Sequence, residues 1–265
     1  MAITRANQNA RAITAARPPW RLLQWLMLVW VALLAGCAAG GDPSQPIPTS
    51  LISAPQPPQR LMVVLPGRAD DLRALQRSGV VEAIQRSWPD TDVVLAELTL
   101  PYYLDGTASR RLHEQVIAPA RQRGYREIWL SGASMGGMGT LMYDQAYPGQ
   151  LDGLVLLAPF LGERAILQEV AGAGGVAGWD AGPAQAVTRD TWQHELWRHV
   201  QGLSRDPARA RRVWLAYGDH DKLRKAMPLL TPALRPEQVL VRPGGHSWRV
   251  WSPALGDVLE AADPQ

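Results

Sequence analysis

A serine lies in the middle of a glycine-rich stretch, LSGASMGGMG, at residues 130–139. Gly132, Ser134 and Gly136 fit the pattern G-x-S-x-G, and the stretch follows an apolar run and opens a helical pattern. On a sharp turn between a strand and a helix, flanking glycines leave room and the serine hydroxyl projects outward. The pattern predicts a nucleophile at Ser134, with the backbone N–H of Met135 placed to stabilise an oxyanion. The alternative interpretation is a flexible glycine turn.

A serine hydroxyl needs a general base, and the chain has five histidines. His246 follows the last apolar run in the loop RPGGHSW, from which it could reach the end of a sheet. It is therefore the predicted base; the alternative is a loop histidine packed near Trp248. The remaining histidines, interpreted as surface or packing residues or as a neighbour of the candidate acids, are His113, His194, His199 and His220.

The base must in turn be oriented by a carboxylate. The segment GDHD at 218–221 follows an apolar run, so Asp219 and Asp221 are both candidates. The aspartate that does not serve this role would be a turn residue or a helix N-cap. The chain order serine, aspartate, histidine is the one used with this type of strand–serine–helix turn.

Alternating apolar runs and helical patterns must position these side chains. The strand-like runs are 61–65, 92–98, 127–132, 153–159, 212–218 and 238–243. Their alternation with helices predicts an α/β fold with a doubly wound, mainly parallel sheet of about six strands. The connection over 161–210 is too long to be a bare loop, and it predicts a helical cap insertion.

The segment at 132–162, GASMGGMGTLMYDQAYPGQLDGLVLLAPFLG, and the loop GGHSW resemble bacterial serine esterases and lipases of the α/β-hydrolase superfamily. The resemblance covers most of residues 60–265. It implies a six-stranded sheet with the order second-first-third-fourth-fifth-sixth. It also implies a Gly-x-x-Asp pattern after the fifth strand, which selects Asp221 as the acid and leaves Asp219 as the alternative.

A second oxyanion donor is implied by the same resemblance, in the loop after the first strand. That loop reads LPGRADD here, and the match falls on the backbone N–H of Arg68. Pro66 stands where the family often has a histidine. The Arg68 side chain could bind an acidic substrate group, or it could be solvated or paired with Asp70 or Asp71.

The activity implied by the resemblance is hydrolysis of a carboxylic ester through an acyl-enzyme, with no metal and no cofactor. The substrate would be a small-molecule or lipid acyl ester. Thioesterases and peptidases use the same side chains, so they remain alternatives. A further alternative is an inactive hydrolase fold that serves as a binding module of the cell envelope. The residues do not predict an oligomeric state.

The N-terminus has the pattern of a secretory signal. Four arginines and no acidic residue precede Cys37, and an apolar stretch covers 22–35. The sequence LAGC at 34–37 resembles the lipobox of bacterial lipoproteins. The resemblance implies a signal peptide at 1–36, cleavage, and lipidation of Cys37, the only cysteine. Because Ala38 is not aspartate, the same resemblance favours the outer membrane of a bacterial envelope over the inner one.

Two other interpretations of the N-terminus stay open, an ordinary cleavable signal and an uncleaved membrane anchor. Residues 37–59 are rich in proline, glycine, serine and glutamine, which predicts an extended tether ahead of a hydrolase domain at 60–265. The formal net charge is +3. Without the four N-terminal arginines, 23 basic residues face 24 acidic ones. A near-neutral domain has no basic footprint for nucleic acid.

Overall fold

A seven-stranded sheet is the central element of the computed structural model, which describes residues 41–262. The strand order is β1-β3-β2-β4-β5-β6-β7, and each neighbouring pair is parallel except β1 with β3. The strands are β1 (Thr49–Ile52), β2 (Arg60–Leu65), β3 (Thr91–Ala96), β4 (Glu127–Ala133), β5 (Gly153–Leu157), β6 (Val213–Gly218) and β7 (Val239–Arg242). The predicted α/β fold and the order of the six predicted strands are confirmed.

The additional strand, β1, lies inside the segment that the composition predicts to be a tether. It pairs with β3 from Thr49↔Ala96 to Ile52↔Val93. Ile47, just before it, is only 5% exposed and belongs to the core. The tether prediction is therefore corrected for residues 41–52, which are bound to the domain by side chains that follow β3. The sheet has seven strands where about six were predicted. Average composition hides a few apolar residues that pair with the free edge of β3.

Helices connect the parallel strands and cover both faces of the sheet. They are α1 (Leu72–Gln76), α2 (Val80–Ser87), α3 (Leu100–Leu104), α4 (Ala108–Leu112), α5 (Ala118–Gln122), α6 (Met135–Ala146), α7 (Arg164–Gly172), α8 (Trp192–Arg205), α9 (Pro207–Ala210), α10 (Met227–Leu230) and α11 (Trp248–Ala262). A π-helical turn, His113–Ile117, joins α4 to α5.

Side-chain alternation along the strands divides the core between the two faces. In β2, Leu61, Val63 and Leu65 pack on the face that is covered by α6 and α8. Met62 and Val64 point to the opposite face, which α2 and α11 cover. Both faces are buried, and this explains why the strands are almost continuously apolar in the sequence.

The long connection at 161–210 consists of two different parts. The helix α8 buries Leu196, Trp197 and Val200 in the same core as the sheet, so it is a crossover helix of the main domain. The loop before it is held down by Arg198, whose guanidinium donates to the carbonyls of Ala181, Gly182 and Pro183. The rest of the predicted cap, 161–191, packs onto the same core through Ile166, Val170, Val176 and Trp179.

A buried charged cluster joins α6, α8 and the residue before β6 at the sheet's amino-terminal edge. The carboxylate of Asp144, fully buried, accepts from Arg212 at 2.6 Å and lies 3.1 Å from His199. His199 is buried, so of the two predicted positions, surface and packing, the structure has the packing one. Burial by itself would raise the pKa of Asp144, but the hydrogen bond from His199 and the charge of Arg212 outweigh it, and the pKa is lowered.

Candidate active site

Ser134 lies on a strained turn between β4 and α6. Its backbone has φ 55° and ψ −110°, a conformation that residues other than glycine rarely adopt. A Cβ at Gly132 would collide with the backbone of Gly136, and a Cβ at Gly136 would lie 2.6 Å from the carbonyl oxygen of Pro66. Both glycines of the motif are therefore required for space, and the turn is rigid, not a flexible glycine loop.

Neighbouring backbone groups hold this turn in place. The N–H of Ser134 donates to the carbonyl of Leu157 at 2.8 Å, and the N–H of Phe160 donates to the carbonyl of Ser134 at 2.8 Å. Ala158, at the end of β5, also has a positive φ of 43°. Among the described residues these are the two non-glycine residues with positive φ, and they are adjacent in space. A strained backbone conformation of this kind persists where surrounding contacts hold it in place, and such positions are common at functional sites.

His246 is oriented by Asp221. Its Nδ1 lies 2.8 Å from each carboxylate oxygen of Asp221, whose side chain is 0% exposed. The same carboxylate accepts the backbone N–H of Leu223 at 2.8 Å. The Trp251 ring packs perpendicular to the imidazole, with ring centroids 4.6 Å apart. The imidazole is thus fixed by a buried carboxylate on one side and an aromatic ring on another.

Asp219, the other candidate acid, has a different role. Its carboxylate accepts the N–H of Gly244 at 2.8 Å and contacts the exposed imidazole of His220 at 2.7 Å. The Gly244 N–H, and after it His220, lowers the pKa of Asp219, whose side chain is 43% exposed. Asp219 therefore shapes the loop that carries His246, and Asp221 is the aspartate that contacts the histidine.

Parallel pairing brings the three side chains to one edge of the sheet. Each residue follows the carboxyl end of its strand: Ser134 follows β4, Asp221 follows β6 and His246 follows β7. Their strands are neighbours through β5, so the loops emerge together. The hydroxyl of Ser134 makes no hydrogen bond to another described residue. In enzymes without bound substrate, the distance between the nucleophile's hydroxyl and its base is often longer than a hydrogen bond.

The loop after β2 lies against the start of α6. The carbonyls of Leu65 and Pro66 abut Gly136, next to Met135, and the exposed Arg68 follows them. A Cβ at Gly67 would lie 3.9 Å from the carbonyl oxygen of Ala133, so the loop runs beside the turn that carries Ser134. Among the described residues, the Arg68 side chain pairs with neither nearby aspartate, and each of these aspartates has other partners.

The hydrogen-bond partners of Asp70 and Asp71 could not be predicted from the sequence LPGRADD. Asp70 accepts from the backbone of Gly67 at 3.0 Å and from the indole N–H of Trp248 at 2.8 Å. Asp71 caps α1 by accepting the N–H of Ala74 at 2.7 Å. Asp70 therefore ties the loop after β2 to the helix that follows His246. The proximity of two segments that are far apart in the chain is a property of the fold, and no local pattern in either segment indicates it.

Cys37 and the predicted signal peptide lie outside the described residues. Within residues 41–262, no helix is both long and apolar enough to cross a membrane. The same residues contain no group of three or more His, Cys, Asp or Glu side chains arranged to hold a metal ion.

Comparison with known proteins identifies the family. The model of a family described as "Putative esterase" matches residues 114–261, more than half of the chain and nearly all of the region from α6 to α11. The chain belongs to this esterase family. No curated protein matches the chain.

Solved structures share the fold of this esterase. A ferulic acid esterase aligns with 17% identity and a TM-score of 0.53, over 82% of this chain and 98% of that one. A fluorophosphonate-binding serine hydrolase F from Staphylococcus aureus aligns with 14% identity and a TM-score of 0.56, over 83% and 100%. An S-formylglutathione hydrolase from Agrobacterium tumefaciens aligns with 14% identity and a TM-score of 0.55, over 82% and 89%. At these identities the likeness establishes the fold, and the family match establishes a carboxylic-ester hydrolase.

Proposed function

We propose that this esterase is a lipid-anchored serine hydrolase that cleaves carboxylic esters through Ser134, His246 and Asp221. The observation that carries the catalytic part is the pair formed by His246 and the fully buried Asp221. This pair lies at the sheet edge where Ser134 occupies its strained turn. A surface histidine would not need a buried carboxylate that contacts it through both oxygens.

In the proposed reaction, the Nδ1–H of His246 donates to Asp221, which leaves Nε2 free as the base. Ser134 Oγ attacks the acyl carbon and passes its proton to Nε2. The N–H groups of Met135 and Arg68 stabilise the oxyanion. The intermediate collapses to an acyl-enzyme as the alcohol leaves with the proton from His246. Water, deprotonated by the same nitrogen, then releases the acid.

The leaving group can be tested with matched substrates. The full chain should hydrolyse p-nitrophenyl esters across a series of acyl lengths, and Ser134→Ala should reduce each rate to background. An ester, a thioester and an anilide with the same acyl chain separate the ester hydrolase from the thioesterase and peptidase alternatives. Faster turnover of the thioester or the anilide would replace the proposed substrate class, and flat background rates would contradict the catalytic proposal.

The anchor is supported by the sequence LAGC and by the position of the only cysteine, at its end. The intact mass of the purified protein should correspond to cleavage before Cys37 with added acyl groups, and Cys37→Ala should lose them. We place the protein in the bacterial envelope, preferentially in the outer membrane because Ala38 follows the cysteine. Separation of the two membranes by density checks this location. A mass that includes the N-terminal arginines would indicate an uncleaved anchor instead.

A further inference from the structure

We infer that the active-site edge of the sheet faces the membrane and that the substrates are acyl esters carried by that membrane. This inference rests on the proposed anchor at Cys37 and deepens the proposed function. It is carried by the path of residues 41–52, which join the N-terminal segment to the sheet, and by the number of residues that precede them.

The chain enters the sheet from the active-site edge. Because β1 is antiparallel to β3, its first residue, Thr49, pairs with Ala96 at the carboxyl end of β3. The N–H of Glu97 donates to the carbonyl of Pro48 at 2.9 Å and continues this contact outward. Residues before 48 therefore lie at the edge from which Ser134 and His246 also emerge.

Residues 41–47 are fixed against the helices at this edge. The carbonyls of Gln45 and Pro46 accept from Arg111 at 3.1 Å and from Tyr102 at 3.3 Å, respectively. The N–H of Ile47 donates to Gln115 at 2.8 Å. At the start of the segment, Gly41 is pressed against the side chains of Thr99 and Tyr102, and a Cβ there would lie 3.0 Å from the Tyr102 ring.

The helix that receives this segment, α3, also packs beside the nucleophile. Tyr103, next to Tyr102, fills the space above Gly139, where any Cβ would collide with its hydroxyl. Gly139 lies five residues after Ser134 in α6, a rise of about 8 Å along the helix axis. The segment that leads to the anchor is therefore bound one helix away from the first turns of α6.

The number of intervening residues limits how far the lipid can lie from this edge. Gly41 is the fourth residue after Cys37, and four residues span at most about 14 Å when fully extended. The opposite edge of the sheet is farther away, because α6, which runs from one edge to the other, is about 18 Å long. A lipid on Cys37 would therefore hold the carboxyl edge against the bilayer, and an ester in the same leaflet would be within reach of Ser134.

Apolar side chains at the same edge are consistent with contact to lipid. Leu104, at the end of α3, is 58% exposed. Val187, 49% exposed, lies in the 161–191 insertion, five residues before Trp192. The Trp192 ring lies 6.1 Å from that of Phe160, whose N–H binds Ser134. Exposed apolar side chains near an anchor favour the interface between headgroups and acyl chains.

Orientation can be measured with single labels, since the thiol of Cys37 would be blocked by lipid. The lipidated full chain with Leu104→Cys or Ala146→Cys would be labelled with a fluorophore. Each variant would be reconstituted into phosphatidylethanolamine–phosphatidylglycerol vesicles that contain a headgroup-linked acceptor. Ala146, exposed at the far end of α6, is the matched control. Energy transfer from position 104 should exceed that from position 146. Equal or reversed transfer would overturn the orientation.

Substrate class is tested by lengthening the connection. A Gly/Ser insert of about 20 residues between Ala39 and Gly40 would let the domain move away from the bilayer. Hydrolysis of a diacylglycerol-type ester embedded in the vesicles should fall about fivefold, since the local concentration of the active site at the bilayer falls. Hydrolysis of soluble p-nitrophenyl acetate should not change. An unchanged rate on the embedded ester, or no activity on it, would overturn the assigned substrate class.

Failure of the proposed function and failure of the inferred orientation can be told apart by separate measurements. Vesicle flotation reports the anchor: if the protein does not float, the anchor and the orientation are both overturned. If it floats with equal energy transfer, only the orientation is overturned. Fluorophosphonate labelling of Ser134 on the same vesicles reports the catalytic proposal separately from both.

Discussion

Asp219 and Asp221 are separated by one residue, yet they have different surroundings. Asp221 is buried and contacts His246, whereas Asp219 is partly exposed and organises the loop around Gly244. Both aspartates could be proposed as the acid from their position after a predicted strand. The choice between them depends on the conformation of two loops that meet only in the folded chain, so the residues alone left it open.

Replacement of each aspartate should separate these roles. Asp221→Asn should lower kcat by about 10³–10⁴-fold, because the amide cannot stabilise the imidazolium or hold the required tautomer. Asp219→Asn retains the size and part of the hydrogen bonding of the loop, and it should lower kcat less than about tenfold. Steady-state kinetics on one p-nitrophenyl ester, with circular dichroism to verify folding, measure both effects. A larger loss for Asp219→Asn would contradict the assignment.

The glycines of the motif are predictable from sequence because their role is local. Gly136→Ala would place a Cβ 2.6 Å from the carbonyl oxygen of Pro66 and 2.7 Å from that of Leu65. Backbone atoms on both elements would have to move, so the free energy of unfolding should fall by about 2 kcal/mol or more. Urea unfolding measures the change. Gly149→Ala is a less suitable control because of its positive φ, but Gly172→Ala, in α7 with open space around it, should cost little.

Strands and helices could be predicted from the sequence where their pattern of apolar residues is long and continuous. The five buried strands, β2 to β6, read directly as apolar runs because both faces of the sheet are covered there. The strand β1 has only four residues, half of them exposed, and its signal is lost among prolines and serines. The same limit applies to α3, which has five residues and begins next to a proline. Both are stabilised by contacts distant in sequence rather than by their own composition.

The hydrogen bond from Trp248 to Asp70 joins α11 to the loop after β2, and its removal should affect catalysis. Trp248→Phe keeps an aromatic ring but removes the N–H that Asp70 accepts. The loop carrying the Arg68 N–H would be held less firmly, so kcat should fall about tenfold with little change in KM. Asp70→Asn should give a smaller effect in the same direction, because the amide oxygen can still accept. A changed KM with an unchanged kcat would indicate a role in substrate binding instead.

Residues 41–52 are part of the folded domain and do not form a linker. A chain that starts at residue 53 would lose Ile47 from the core and expose the edge of β3. Compared with a chain that starts at Gly41, its Tm should be lower by about 4–8 °C or more, since burial of one large side chain alone contributes about 2 kcal/mol. Thermal unfolding of the two chains checks this. Equal Tm values would restore the tether interpretation for residues 41–52.

The cluster around Asp144 predicts how stability depends on pH. Its carboxyl group has a lowered pKa in the fold, so its contribution is present at neutral pH and is lost as pH falls below about 4. At pH 7, Asp144→Asn should cost about 3 kcal/mol, because His199 and Arg212 lose a buried partner. Urea unfolding should show the difference from wild type shrinking toward pH 3. A constant difference would contradict this account.

The central claim is that Ser134 is the nucleophile. Incubation of the full chain with a fluorophosphonate, followed by digestion and mass spectrometry, tests it most directly. We expect one adduct, on Ser134, with none on Ser134→Ala and much slower labelling of His246→Ala, since the hydroxyl would lack its base. An unlabelled wild type, or an adduct on a different residue that persists in Ser134→Ala, would contradict the claim.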